Sequence, residues 1–169
     1  MAVPSLKINN PGNLRPGKTP WVGEKFPSYT TSGNGNFSIF ETMAHGVRAQ
    51  AKLLLTYQNK YKLNTIRGII NRYAPPQDKN NTSSYVKFVS AKTGFGADTT
   101  LDLKDSATME KLLKAIHLQE HGKAVPTEDL QKGIDWALSG LTPGTKKKIK
   151  ITAGSLLTAL LIYVAATKL

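Results

Sequence analysis

DSATMEKLLKAIHLQEHG, residues Asp105 to Gly122, is the stretch whose reading decides the fold class. Met109, Leu112, Leu113 and Ile116 recur at i, i+3, i+4 and i+7, so a helix places them on one apolar face. Asp105 or Ser106 supplies a side-chain oxygen for the unpaired N–H groups of the first turn, and Gly122 is a natural stop. Glu120 falls on the apolar face, within roughly 20° of Met109 and Leu113 in projection. A carboxyl group at that position leaves a buried stripe at the negative end of the helix dipole. Both effects favour its protonated form, the form a general acid needs; the plainer reading is a boundary residue whose carboxylate reaches water or a neighbouring lysine.

The elements on either side extend this helical pattern. Val47, Ala51, Leu54 and Leu55 form the stripe of a helix from about Thr42 to Tyr57 or beyond, with Arg48, Lys52 and Gln58 pointing elsewhere. TIRGIINRY begins after Asn64-Thr65 and is stopped by Pro75 and Pro76. A third helix starts at Asn80, Asn81 or Thr82, faces inward with Tyr85, Phe88 and Val89, and ends at Gly94. Thr127 to Leu138 is a further short helix, with Thr127 as its cap and Glu128 and Asp129 suited to the dipole. Residues 6–36 are rich in Gly, Pro, Asn and Ser and predict an irregular arm, with Trp21, Phe26 and Tyr29 as its anchors. Residues 37–40 alternate polar and apolar as one short strand.

The chain has 169 residues, no cysteine and a formal charge of +12. This length suits one cored domain with an appendage, and the absence of thiols excludes disulfides and thiolate metal sites. The charge favours polyanionic surroundings; without a recognisable nucleic-acid motif, contact with nucleic acid is at most nonspecific. The N-terminus carries no recognisable secretory signal. Residues Ile151 to Thr167 hold no charge and follow Lys146, Lys147, Lys148 and Lys150. A span needs about 20 apolar residues, so this run, at the short edge of that range, reads either as a helix embedded in or docked on a lipid membrane, its lysines at anionic headgroups, or as a helix buried in a protein assembly. The expected organisation is a helical domain over 1–124, a short helix and linker over 125–145, and the basic-flanked hydrophobic helix over 146–169.

His117-Leu118-Gln119-Glu120-His121 spells H-x-x-E-H, which sets two imidazoles one turn apart as zinc ligands can be. A third ligand is wanting and the second histidine sits at the helix end, so the plainer reading is two solvent-facing histidines with no metal or other cofactor.

INNPGNLRPG (Ile8 to Gly17), FSIFETMAHGVRAQAKLLLTY (Phe37 to Tyr57), NTIRGIINRYAPP (Asn64 to Pro76), NNTSSYVKFVSAKTG (Asn80 to Gly94) and KAIHLQEHG (Lys114 to Gly122) stand in this order. The series resembles a family of small bacteriophage and prophage virion proteins, with its N-N-P-G-N-I-R, F-x-x-F with G-x-R-A, T-I-x-x-I-I with A-P-P, N-x-T-x-x-Y and A-I-x-x-x-E-x-G blocks. The resemblance covers most of residues 6–122 and stops before the tail. Some members are described as lysozyme-like or transglycosylase-like, and a helix ending in E-x-G is similar to the E-S-G that carries the acid of lytic transglycosylases. It implies a mainly α, lysozyme-like helical domain with an irregular N-terminal arm, followed here by the C-terminal hydrophobic helix. The implied protein is virion-located and membrane-associated, with peptidoglycan, a lipid membrane and other virion proteins as partners. Glu120 is then the first catalytic candidate and Glu41 the second. Asn9, Asn10, Asn13 and Arg15 are candidates for binding N-acetyl groups or hydroxyls, though NNPGN is equally a turn sequence. Tyr73, where a tryptophan is common in the family, joins them as substrate-binding. Gln77 to Lys79 replace a shorter stretch in which a Glu usually precedes N-x-T, and Asp78 is the acid available there. Two functions follow: a virion-borne enzyme cleaving the wall glycan, or a noncatalytic virion component.

Overall fold

A computed structural model describes residues 6–31, 35–78 and 80–140, with side chains left out at 29–31 and 35. The expected hydrophobic helix over 146–169 and the linker leading to it lie outside these residues. Among the described residues no helix is long and apolar enough to cross a membrane.

The chain is mainly helical, as its periodicity predicts. A hairpin of β1 (Glu24–Thr31) and β2 (Gly35–Phe40) leads into α1 (Met43–Tyr61), α2 (Ile66–Tyr73), a 3-10 turn (Pro76–Asp78), α3 (Thr82–Thr93), α4 (Ser106–His121) and α5 (Thr127–Leu138). The caps follow side-chain chemistry: Thr42, Thr65, Asn81 and Asp105 each accept an N–H of the first turn of α1 to α4. Asp105 Oδ2 takes both the N–H and the hydroxyl of Thr108, at 2.8 and 2.7 Å. At the other end Gly122 adopts φ +68 and returns its N–H to the Leu118 carbonyl.

The apolar stripes meet in one core. Met109, Leu112, Leu113 and Ile116 of α4 are fully buried with Val47 and Leu54 of α1, Ile69 and Ile70 of α2, and Val89 of α3. α1 is the central element, buried without interruption from Ala44 to Ala51. α5 packs along it closely enough that a Cβ on Gly133 would stand 2.6 Å from the Val47 side chain. Val125, Leu130, Ile134 and Ala137 join the same cluster, so the core continues past residue 124.

Several expectations need correction. The arm is not wholly irregular: residues 24–31 pair antiparallel with β2, across a register shift between Lys25 and Tyr29 that accommodates Pro27. Trp21 does anchor the arm, against Leu14, Phe40 and Ala49, but Phe26 is 64% exposed. The Tyr29 side chain lies outside the described residues. Alternation in β2 fails at Ser38, buried because its hydroxyl donates to Glu24 Oε1 at 2.6 Å. Arg48, expected to point away from the apolar stripe, is buried too, because α1 is covered on nearly every side, and burial lowers its guanidinium pKa. α5 begins at Thr127 itself, leaving Pro126 at the cap position without a side-chain bond.

Candidate functional site

The N-terminal NNPGN segment is tied residue by residue, first to β2 and then to the ends of α2 and α4. Asn9 and Asn13 adopt φ of 57 and 50, a left-handed geometry that asparagine tolerates better than most residues. Asn9 donates through Nδ2 to the carbonyls of Phe40 and Glu41, at 3.0 and 3.3 Å. Asn10, fully buried, donates to the Leu14 and Ser38 carbonyls and accepts the Leu14 N–H, each at 2.9 Å. His121 donates through Nε2 to the Pro11 carbonyl at 2.8 Å, and the Tyr73 hydroxyl donates to the Gly12 carbonyl. Asn13 Nδ2 then reaches Glu120 Oε2 at 2.7 Å.

Glu120 is thereby held from two sides, since Tyr85 of α3 donates its hydroxyl to Oε1, also at 2.7 Å. Burial pushes the Tyr85 phenol far above its ordinary range, reinforced by Tyr73 and by the Glu120 charge, so it remains a neutral donor. Tyr73 is raised well above its usual value for the same leading reason, burial.

Behind this pair runs a buried polar chain. Gln50 of α1 donates through Nε2 to the Tyr73 hydroxyl at 3.0 Å, which turns Oε1 toward His117 Nε2 at 2.8 Å. His117 must therefore carry its proton on Nε2. The two histidines are thus not solvent-facing: His117 is fully buried and His121 is tied to the arm, because the arm covers the end of α4. Each Nε2 is engaged in a hydrogen bond, and among the described residues no cluster of three or more His, Cys, Asp or Glu has metal-site geometry.

Burial, with His121 as a smaller contribution, lowers the His117 pKa from 6.5 to about 3. Its pH consequence has a definite sign. Above pH 6.5 the imidazole is neutral both folded and unfolded; below it only the unfolded chain takes up the proton. Stability is expected to fall by up to about 1.4 kcal/mol per pH unit as pH drops from the unfolded value toward 3. Thermal melts between pH 7 and pH 4 check this, and His117→Gln is expected to flatten the slope; an equally steep slope in the variant would remove His117 as its source.

Glu120 opens into a cleft of about 420 Å³ whose wall includes Gly12, Asn13, Arg15 and Tyr73. Of the residues singled out in sequence, the fold therefore brings Glu120, Asn13, Arg15 and Tyr73 together. Asn9 and Asn10 bind backbone instead, and Glu41 is not on the cleft wall. Its carboxylate is 56% exposed and stands 3.8 Å from His45 Nε2. Asp78, the acid of the 77–79 stretch, does line the cleft.

No family model matches the chain. Over 143 residues it is 35% identical to Protein P5 of Pseudoalteromonas phage PM2, a match that covers 82% of this chain and 84% of that protein. The chain belongs to the family of this phage protein. The expected kinship with phage proteins therefore holds.

In this member of the P5 family, sequence reasoning missed part of the cleft. Tyr57 and Arg72 line it, and Tyr85 grips the acid from behind. Tyr85 was readable as an inward-facing residue of α3, but its hydroxyl partner lies 35 positions away. Arg72 sits on the polar side of α2, where an arginine is ordinarily solvated. Only the placement of the α2 end against α1 gives it the faces of Tyr57 and Tyr61.

Proposed function

We propose that this protein is a virion component of a phage that cleaves the glycan strand of peptidoglycan during infection, using a lysozyme-like helical domain. The observation that carries the reading is the Glu120 carboxyl group, fixed by Asn13 and Tyr85 at the wall of a cleft large enough for sugar rings. Glycan cleavage needs an acid that protonates the glycosidic oxygen; the same group, as base, then helps the sugar's own hydroxyl close a ring. Hydrolysis needs a second carboxylate, and Asp78 on the same wall is the residue available for it. Incubating the full chain with purified peptidoglycan tests the reading. Fragments with anhydro ends support ring closure, fragments with reducing ends support hydrolysis, and no release of either kind refutes the proposal.

A second reading, a noncatalytic virion component, draws on a specific observation. Both Glu120 oxygens already join the arm to α3 and α4, which a purely structural clamp would also do. Peptidoglycan binding without release would favour it.

In either case, the proposal includes a membrane tether formed by the basic, apolar stretch over 146–169. Deleting residues 146–169 is expected to abolish co-flotation with liposomes containing anionic lipid; unchanged flotation would refute the tether.

A further inference from the structure

The cleft carries charges that a neutral sugar does not require. Arg15 and Arg72 line it together with Glu120 and Asp78. Both arginines are exposed, and both rest on aromatic faces. The Arg15 guanidinium carbon stands 5.6 Å from the Phe37 centroid, and that of Arg72 stands 3.8 Å from Tyr61 and 5.3 Å from Tyr57. An aromatic seat orders a guanidinium while leaving N–H donors on its edge for a ligand.

The contrast with Arg67 is informative. Arg67 holds Asp98 with two parallel bonds of 2.7 and 2.8 Å, the ordinary end of an arginine that has its carboxylate. Among the ion pairs of the described residues, none involves Arg15 or Arg72. Nor do they neutralise the acid beside them, since Glu120 is gripped by an amide and a phenol. The Arg72 guanidinium faces the neutral Tyr57 phenol, whose pKa it lowers against the larger upward effect of burial.

We infer that Arg15 and Arg72 form a subsite for a carboxylate, reading the acidic peptide stem that projects from the wall glycan next to the bond presented to Glu120. The inference rests on the wall-cleaving reading and adds to it what the ligand must carry: a negative charge beside neutral sugar rings. A chitin-type strand lacks that charge.

Three probes test it by calorimetry: a glycan-strand fragment with free stem carboxylates, the same fragment with those carboxylates amidated, and chitohexaose. The full-length Glu120→Gln protein is the background, so that the probes persist. The free-acid fragment is expected to bind about tenfold more tightly than the amidated one, the worth of one charge-assisted hydrogen bond. Arg15→Gln with Arg72→Gln should erase that preference, leaving the free and amidated fragments with equal affinity. Arg72→Lys, which keeps the charge and much of the stem packing, should retain part of it and serves if the double variant does not fold. Equal affinity for the free and amidated fragments, or a preference that survives removal of both arginines, overturns the subsite alone. Failure to bind any of the three probes overturns the wall-cleaving reading, and the subsite with it.

Discussion

Glu120→Gln is expected to reduce release of soluble fragments from peptidoglycan by a factor of about 10²–10⁴, the contribution of a positioned general acid. The fold should survive the change. Glutamine keeps the size of the side chain and one acceptor for the Tyr85 hydroxyl, and the Asn13 amide can turn its oxygen toward the new NH₂. Melting curves within a few degrees of the wild type would confirm that the loss is chemical. Glu120→Ala is a different experiment, because it leaves the deeply placed Tyr85 hydroxyl without its acceptor and releases Asn13; a cost of roughly 1–3 kcal/mol is expected from the unsatisfied donor. Release that persists unchanged in the glutamine variant would remove Glu120 from the chemistry. It would leave the residue as a clamp between arm and helix.

The second large effect is steric. A Cβ built on Gly46 would stand 2.0 Å from the Asn9 carbonyl oxygen and 2.8 Å from Pro11 Cδ. Neither neighbour is a flexible side-chain end: one is backbone and the other a ring whose own carbonyl is tied to His121. Gly46→Ala must therefore lift the arm from α1, breaking the bonds at Asn9, Pro11 and Gly12 and drawing Asn13 away from Glu120. A loss on the order of 3 kcal/mol is expected, toward the upper end of overpacking costs. For a domain of this size that corresponds to a fall in Tm of roughly 10 °C. Gly122→Ala provides the comparison: its Cβ would meet nothing within 4 Å, so only the left-handed backbone resists it, at about 1 kcal/mol. A Gly46→Ala protein that melts like the wild type would show that the arm does not rest on α1 as described.

Local chemistry accounts for what the sequence revealed. The α4 stripe, the caps at Asp105 and Asn81, and the stops at Gly94 and Gly122 depend on neighbours within a turn or two, and all of them hold. The placement of Glu120 on the inner face of α4 belongs to the same class. The hairpin was hidden because Pro27 argues against a strand until a register shift provides a place for it. The burial of Arg48 and of His117 was not legible because helical periodicity assumes one covered face; α1 is covered almost all round, and the end of α4 is roofed by the arm.

By itself, then, the sequence determined a mainly helical chain with its helix boundaries, and marked the arm, Glu120 and Tyr73 as worth attention. Tertiary structure alone decided which of those meet. The NNPGN arm and the G-x-R-A turn of α1 interlock through Gly46. Asn9 and Asn10 hold backbone, while Asn13, Arg15, Tyr73, Arg72 and Asp78 share one cleft with Glu120. The physical reason is separation along the chain: Asn13 and Glu120 are 107 residues apart, and Tyr85 and Glu120 35. Periodicity orients a side chain about its own helix axis but carries no information on which distant segment comes to face it.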